Sequence, residues 1–152
     1  MNFNSMEEIF TFAINAEKQA VEFYEGLAKT EPFAALKEAL LEFATEEKKH
    51  QTMLENFSSN KENLAGYTYK WIPDMKRSDY ITEMEYVPGM SYPDILRIAM
   101  KREENALKMY NELATKTEDD ACIKLFKVLS QEEAKHKSYF ETVYDDHMAE
   151  QG

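Results

Sequence analysis

Residues 43–54, FATEEKKHQTML, and residues 129–140, LSQEEAKHKSYF, are the two segments that decide the fold of this chain. Shifting the sequence by 86 positions places the first segment on the second without a gap. Two chemically distinctive positions then coincide: Glu47 with Glu133, and His50 with His136. Repetition at a fixed offset indicates a duplicated structural unit, so the chain is predicted to contain two similar halves.

The repeat extends upstream of these segments at the same offset. Residues 14–28, INAEKQAVEFYEGLA, overlie the end of residues 99–114, AMKREENALKMYNELA. Apolar residues recur in both at three- and four-residue intervals over windows longer than a strand, which predicts amphipathic helices. Each half is therefore predicted to hold two helices, and the fold class is all-α.

Helix ends are predicted from capping signals. Ser5 with Glu8 is a capping-box start, and Pro32 suits the first turn of a second helix. Ser91 is the predicted N-cap of the third helix, and Thr117 is that of the fourth. We predict helices over about residues 6–29, 32–57, 93–115 and 118–144, each long enough to span a bundle at 1.5 Å per residue. His147 then falls in a frayed C-terminal tail without a function.

The predicted turns are short, so each helix pair should form an antiparallel hairpin. Residues 58–90 form a connector whose length suits a crossover along a bundle. We predict a single domain, residues 1–152, with an antiparallel four-helix bundle made of two repeated hairpins. The connector is rich in aromatic residues that are expected to pack against the bundle or a second subunit: Tyr67, Tyr69, Trp71, Tyr80 and Tyr86.

Composition excludes several classes of function. The net charge of −11 opposes binding to nucleic-acid phosphates, so no nucleic-acid partner is expected. No run of 18 apolar residues and no secretory signal pattern is present, so neither membrane spanning nor export is expected. Cys122 is the one cysteine, which rules out an internal disulfide, suits a small buried side chain, and favours a cytoplasmic location.

Paired carboxylates and histidines carry the predicted chemistry. A three-residue spacing puts Glu47 and His50 on one helix face, and the repeat does the same for Glu133 and His136. Glu17 and Glu103 lie at equivalent positions on apolar stripes. Buried carboxylates are costly unless paired or bound to cations, and two divalent ions would balance four carboxylates. The predicted metal ligands are Glu17, Glu47, His50, Glu103, Glu133 and His136.

Two features of this site stay open from spacing alone. Glu46 with His50, and Glu132 with His136, also share a helix face at four-residue spacing, although the three-residue pairs are favoured. Tyr24 and Tyr110 lie two turns after the Glu of their helix. Because helical side chains lean toward the N-terminus, either hydroxyl could reach a ligand carboxylate, or find water instead. These tyrosines are the candidate catalytic residues.

The four quoted segments resemble the rubrerythrin group of the ferritin-like di-iron carboxylate superfamily, over both hairpins but not the connector. The resemblance implies a ferritin-like bundle with two iron ions that reduces hydrogen peroxide to water, often as a homodimer. It implies that Glu47 and Glu133 bridge the metals, that Glu17 and Glu103 are terminal or switching carboxylates, and that each metal takes one histidine. Carboxylate and imidazole ligands also accept manganese or zinc.

Two departures from that family pattern bear on function. No rubredoxin domain with Cys-x-x-Cys pairs is present, so electrons would come from a separate donor such as a rubredoxin. Where the family has an additional carboxylate, this chain has Ala106 and Leu107. The remaining ligand set also resembles a ferroxidase site, at which dioxygen oxidises Fe²⁺. Iron handling and a metal-binding bundle without turnover are therefore the alternatives.

Overall fold

The computed structural model describes residues 3–57, 85–87 and 89–151, and within these residues the chain is helical with no strand. This confirms the predicted all-α class. The helices are α1 (Met6–Thr30), α2 (Ala34–Glu55), α3 (Tyr92–Ala114) and α4 (Asp120–Gln151). None of these four helices contains the continuous apolar stretch that spanning a bilayer requires.

The capping residues predicted for α1 and α3 are confirmed. The backbone N–H of Glu8 donates to Ser5 Oγ at 3.2 Å, and Glu8 Oε2 in turn accepts from the backbone N–H of Asn4 at 2.8 Å. At the start of α3, the N–H of Asp94 donates to Ser91 Oγ at 3.3 Å. These contacts satisfy backbone donors that the first helical turn leaves without an intrahelical partner.

The starts of α2 and α4 differ from the prediction. Pro32 lies before α2 rather than in its first turn, because the next residue, Phe33, is still extended with φ −87° and ψ 116° and is itself the N-cap. The helix α2 therefore begins two residues later than predicted, at Ala34, and the turn between α1 and α2 is one residue longer. In α4, Asp119 Oδ1 caps the N–H of Cys122 at 2.9 Å, so Asp119 and not Thr117 is the cap.

The end of α4 also differs, because the helix continues seven residues beyond Tyr144 to Gln151. Arg97 Nη2 donates to the Tyr144 hydroxyl at 3.0 Å, and the His147 ring packs edge-on against Tyr92 at 4.8 Å. The prediction of a frayed tail at His147 was wrong, since these contacts with α3 hold the last turns in place. Cys122 is buried, as predicted.

The chain divides into two compact units, Met1–Gly66 and Tyr67–Gly152. The first contains the α1–α2 hairpin, in which Phe10 pairs with Phe57 at 5.3 Å and Tyr24 with Phe43 at 5.9 Å. Residues near the start of α1 thus contact residues near the end of α2, which shows that the two helices are antiparallel. The second contains the α3–α4 hairpin, in which the Ser130 hydroxyl donates to the Leu107 carbonyl at 3.2 Å. The single-domain organisation stays a prediction.

Each hairpin has an apolar core at the positions that the repeat relates. In the first hairpin the buried residues include Ala13, Tyr24, Leu27, Leu40 and Leu54. Their equivalents in the second are also buried: Ala99, Tyr110, Leu113, Phe126 and Phe140. Matched burial confirms that the two halves use the same helix faces.

Most of the predicted connector lies outside the described residues, including Tyr67, Tyr69, Trp71 and Tyr80. Tyr86 is described and is half-buried. Gly89 has a φ of +88°, in the left-handed region that glycine adopts without a steric penalty. This residue turns the chain just before Ser91 and the start of α3.

Candidate metal centre

The first hairpin brings together Glu17 from α1 with Glu47 and His50 from α2, here called the first trio. His50 Nδ1 lies 3.6 Å from Glu17 Oε1 and 3.8 Å from Glu47 Oε1. All three side chains are buried, with exposed fractions of 2%, 1% and 5%. A single turn of α2 presents Glu47 and His50, and the packing of α1 brings Glu17 against them.

The second hairpin brings together Glu103 from α3 with Glu133 and His136 from α4, the second trio. His136 Nδ1 lies 3.4 Å from Glu103 Oε1 and 3.8 Å from Glu133 Oε2. These side chains are also buried. The second trio repeats the first in residue types, helix positions and distances. The two hairpins therefore present equivalent sets of donors.

The structure distinguishes between the two spacings that the sequence leaves open. Glu47 and Glu133, at three-residue spacing, are buried beside their histidines. Glu46 and Glu132 are only half-buried, and Glu132 Oε2 pairs with Lys135 Nζ at 3.1 Å. The glutamates three residues before each histidine, Glu47 and Glu133, are thus the ones that belong to the trios.

Burial also changes the proton affinity of the first trio. It raises the pKa of the Glu17 carboxyl from 4.5 to about 8, because the ionised form loses its hydration. The bond to Glu47 adds to this rise, whereas the contact with His50 opposes it. In the metal-free protein, Glu17 is therefore protonated at neutral pH.

The donor set of each trio suits a divalent metal ion. One donor atom from each of its residues lies within 4.8 Å of the others. Two carboxylates balance the charge of one such ion, and the imidazole supplies a neutral nitrogen. Oxygen and imidazole donors of this kind accept iron, manganese or zinc. The residues present therefore fit the metal that the sequence predicts, in each hairpin by itself.

Tyr24 and Tyr110, the candidate catalytic residues, are buried with exposed fractions of 1% and 0%. The Tyr24 ring packs edge-on against Phe43, and the Tyr110 ring stacks on Phe126 at 6.2 Å. Both rings therefore belong to the cores that support the trios. The contact of their hydroxyls with ligand carboxylates stays a prediction.

Sequence reasoning missed three buried charges in the second hairpin: Glu104, Lys137 and Glu141. Glu104 Oε2 lies 2.9 Å from Lys101 Nζ, and Lys137 Nζ lies 3.9 Å from Glu141 Oε1. Charged residues usually face solvent, so helical periodicity alone gives no signal for their burial. Comparison of the two halves does give one indication of this difference, because Lys137 stands where the first half has the neutral Gln51.

Helical hairpins that each present two buried carboxylates and a histidine define a class of all-α proteins suited to metal binding. The sequence matches the Rubrerythrin family over residues 8–145. The chain therefore belongs to the Rubrerythrin family, which confirms the ferritin-like four-helix class predicted from the sequence.

One solved structure supports this relationship. It is a hypothetical protein from Pyrococcus furiosus, 31% identical in sequence, with a TM-score of 0.67. The similarity covers 93% of this chain and 89% of the archaeal one. No curated protein matches the chain significantly.

Proposed function

We propose that this protein is a non-haem di-iron oxidoreductase that reduces hydrogen peroxide to water. The observation that carries the proposal is the presence of two equivalent buried trios, one in each hairpin, in a member of the Rubrerythrin family. Glu17, Glu47 and His50 would hold one iron ion, and Glu103, Glu133 and His136 the other. Equal numbers of carboxylates and positive charges would then leave the centre neutral.

Peroxide reduction requires two electrons and two protons, and it yields two water molecules. The iron ions would supply the redox capacity. A separate donor, such as a rubredoxin, would return the electrons, since the chain has a single cysteine and so no Cys-x-x-Cys pairs for a rubredoxin site.

The side chains around the trios would perform the rest of the chemistry. Apolar residues around both trios exclude bulk water, which strengthens the attraction between carboxylates and cations. Metal binding would displace the proton that Glu17 holds. Tyr24 or Tyr110 would move protons, because a phenol can donate one hydrogen bond and accept another.

The first experiment compares Glu47→Gln with the neighbouring control Glu46→Gln. Glu47 is buried in the first trio, whereas Glu46 is half-buried one position away. We expect the wild type and the control to bind two iron ions per chain, and Glu47→Gln to lose at least one of them. Iron content after anaerobic loading measures this, and equal iron in both variants would contradict the ligand assignment.

The second experiment separates the oxidants. The reduced di-iron protein is mixed with hydrogen peroxide or dioxygen in a stopped-flow instrument, and oxidation is followed by absorbance. We expect peroxide to react much faster. Equal or faster reaction with dioxygen would instead support ferroxidase activity.

Ferroxidase activity is the second candidate, and two side chains of α3 favour it. Ala106 and Leu107 stand where the family pattern has an additional carboxylate, and both are half-buried. Storage of the oxidised iron would require a hollow cage of many subunits, whereas the peroxidase is proposed to be a cytoplasmic homodimer. Sedimentation of the iron-loaded protein distinguishes a cage from a dimer. Bound metal without turnover of either oxidant would indicate a metal-binding bundle.

A further inference from the structure

A stripe of three buried charges runs along α4 from the second trio. Glu133, Lys137 and Glu141 are spaced four residues apart, so they lie on successive turns of one helix face. Their exposed fractions are 1%, 4% and 0%. Lys137 Nζ lies 3.9 Å from Glu141 Oε1. In this set, here called the charged stripe, the buried Lys137 lies along the helix between a candidate metal ligand, Glu133, and a second carboxylate, Glu141.

The first hairpin lacks such a stripe. Its equivalent residues are Glu47, Gln51 and Glu55, with a neutral amide in the middle. Gln51 Nε2 donates to Glu55 Oε1 at 3.5 Å, and Glu55 is exposed. Among the described residues, a buried lysine next to a trio along the chain is therefore found in the second hairpin and not in the first.

A buried ammonium beside a trio opposes metal binding in two ways. It repels the incoming cation, and the low polarity of its surroundings weakens the screening of this repulsion. It can also compete for the Glu133 carboxylate, because helical side chains lean toward the N-terminus and a Glu–Lys pair at four-residue spacing is favourable. A carboxylate on the other side of Lys137 counters both effects.

We propose that Glu141 is a positioning residue, whose carboxylate neutralises Lys137 and holds its ammonium one turn away from Glu133. Lys137 then competes less with the metal ion for the Glu133 carboxylate. The inference rests on the proposed metal-binding function, and it adds that the affinity of the second trio depends on a carboxylate that is not itself a ligand.

The test is a titration with Co²⁺, followed by visible absorbance and by competition with a chromophoric chelator. We expect Glu141→Gln to weaken one of the two bound equivalents about 10- to 100-fold, the usual effect of removing a group that supports a metal ligand. The double variant K137M/E141Q should restore the affinity to within about threefold, because it removes the ammonium that Glu141 controls. Lys137→Met alone should bind at least as tightly as the wild type.

The matched control is Glu55→Gln, the equivalent change in the first hairpin. Because Glu55 is exposed and residue 51 is neutral, this variant should keep both affinities. A merely structural role for the charged stripe predicts losses in both Lys137→Met and Glu141→Gln, without restoration in the double variant. Thermal unfolding of each metal-free variant checks that it is folded before titration.

The outcomes distinguish a failure of this inference from a failure of the proposed function. If the wild type binds two Co²⁺ ions and Glu141→Gln binds them equally well, the role of Glu141 is refuted and the metal site stands. A double variant as weak as Glu141→Gln refutes it as well. If Glu141→Gln does not fold, a tenfold loss in Lys137→Met refutes it. A wild type that binds no Co²⁺ removes both the proposed function and this inference.

Discussion

Replacing Glu17 by Gln tests the electrostatics of the first trio in the metal-free protein. Gln has nearly the shape of a protonated Glu but cannot ionise. In the folded protein the pKa of Glu17 is about 8, whereas 4.5 is its ordinary value, which applies to the unfolded chain. The folded state therefore binds more protons than the unfolded state between these two pH values.

The sign of the effect follows from this difference. For an acid whose pKa is raised by folding, the folded state is fully favoured below pH 4.5 and loses stability as the pH rises toward 8. A shift from 4.5 to about 8, at about 1.4 kcal/mol per pH unit, sets an upper limit on the order of 5 kcal/mol. Above pH 8 the wild type carries this whole cost, which Gln avoids.

Urea unfolding of the metal-free proteins between pH 5 and pH 9 measures the effect. The two proteins should have similar free energies of unfolding at pH 5, and Glu17→Gln should become the more stable one as the pH rises. Added divalent metal should reverse the order at pH 8, since it stabilises an ionised carboxylate that only the wild type provides.

The control is Glu25→Gln on the same helix. The Glu25 side chain is 42% exposed, and its Oε1 lies 3.2 Å from Nζ of Lys48, whose side chain is 59% exposed. An exposed pair of this kind contributes little, so the control should follow the wild type across the pH range. A difference between Glu17→Gln and the wild type that stays constant with pH would refute the reasoning, because it would show that Glu17 does not change its ionisation on folding.

Three further predictions concern the core, the end of α4 and the tyrosines. Phe140→Ala should lower the free energy of unfolding by about 3–5 kcal/mol, because it leaves a cavity at a buried position. The control Phe33→Ala, at a side chain with 60% exposure, should change it by less than about 0.5 kcal/mol. Chemical denaturation compares the two variants. Tyr144→Phe removes the hydroxyl that accepts from Arg97, so amide hydrogen exchange in the last turns of α4 should accelerate; unchanged exchange would contradict a stabilising role for this bond. Tyr110→Phe should retain both metal ions but slow peroxide consumption, and an unchanged rate in stopped-flow measurements would exclude its hydroxyl from proton transfer.

The two candidate metal sites have different surroundings. The trios themselves are alike, but their surroundings differ because the second hairpin carries three additional buried charges: Glu104, Lys137 and Glu141. Buried charges act over longer distances than exposed ones. The two proposed sites are therefore expected to differ in affinity, and the Co²⁺ titration measures this difference directly.

Much of the architecture was determined by the sequence alone. The repeat at a fixed offset predicted two hairpins, and the apolar periodicity predicted which faces are buried, because both signals are local and regular. Ser5 and Ser91 marked helix starts, since a cap involves residues only three apart. The repeat also pointed to a Glu–His pair on the second helix of each half and favoured Glu47 and Glu133, but Glu46 and Glu132 repeat equally well, so burial in the structure made the choice.

Other features were decided only by tertiary structure. The last turns of α4 are held by Arg97 and Tyr92, which are about fifty residues away along the chain. The raised pKa of Glu17 and the burial of Lys137 and Glu141 depend on what packs around each side chain. Local sequence patterns report which residues share a helix face. The free energy of a charge also depends on how much water the folded protein leaves around it, and packing between distant segments sets that amount.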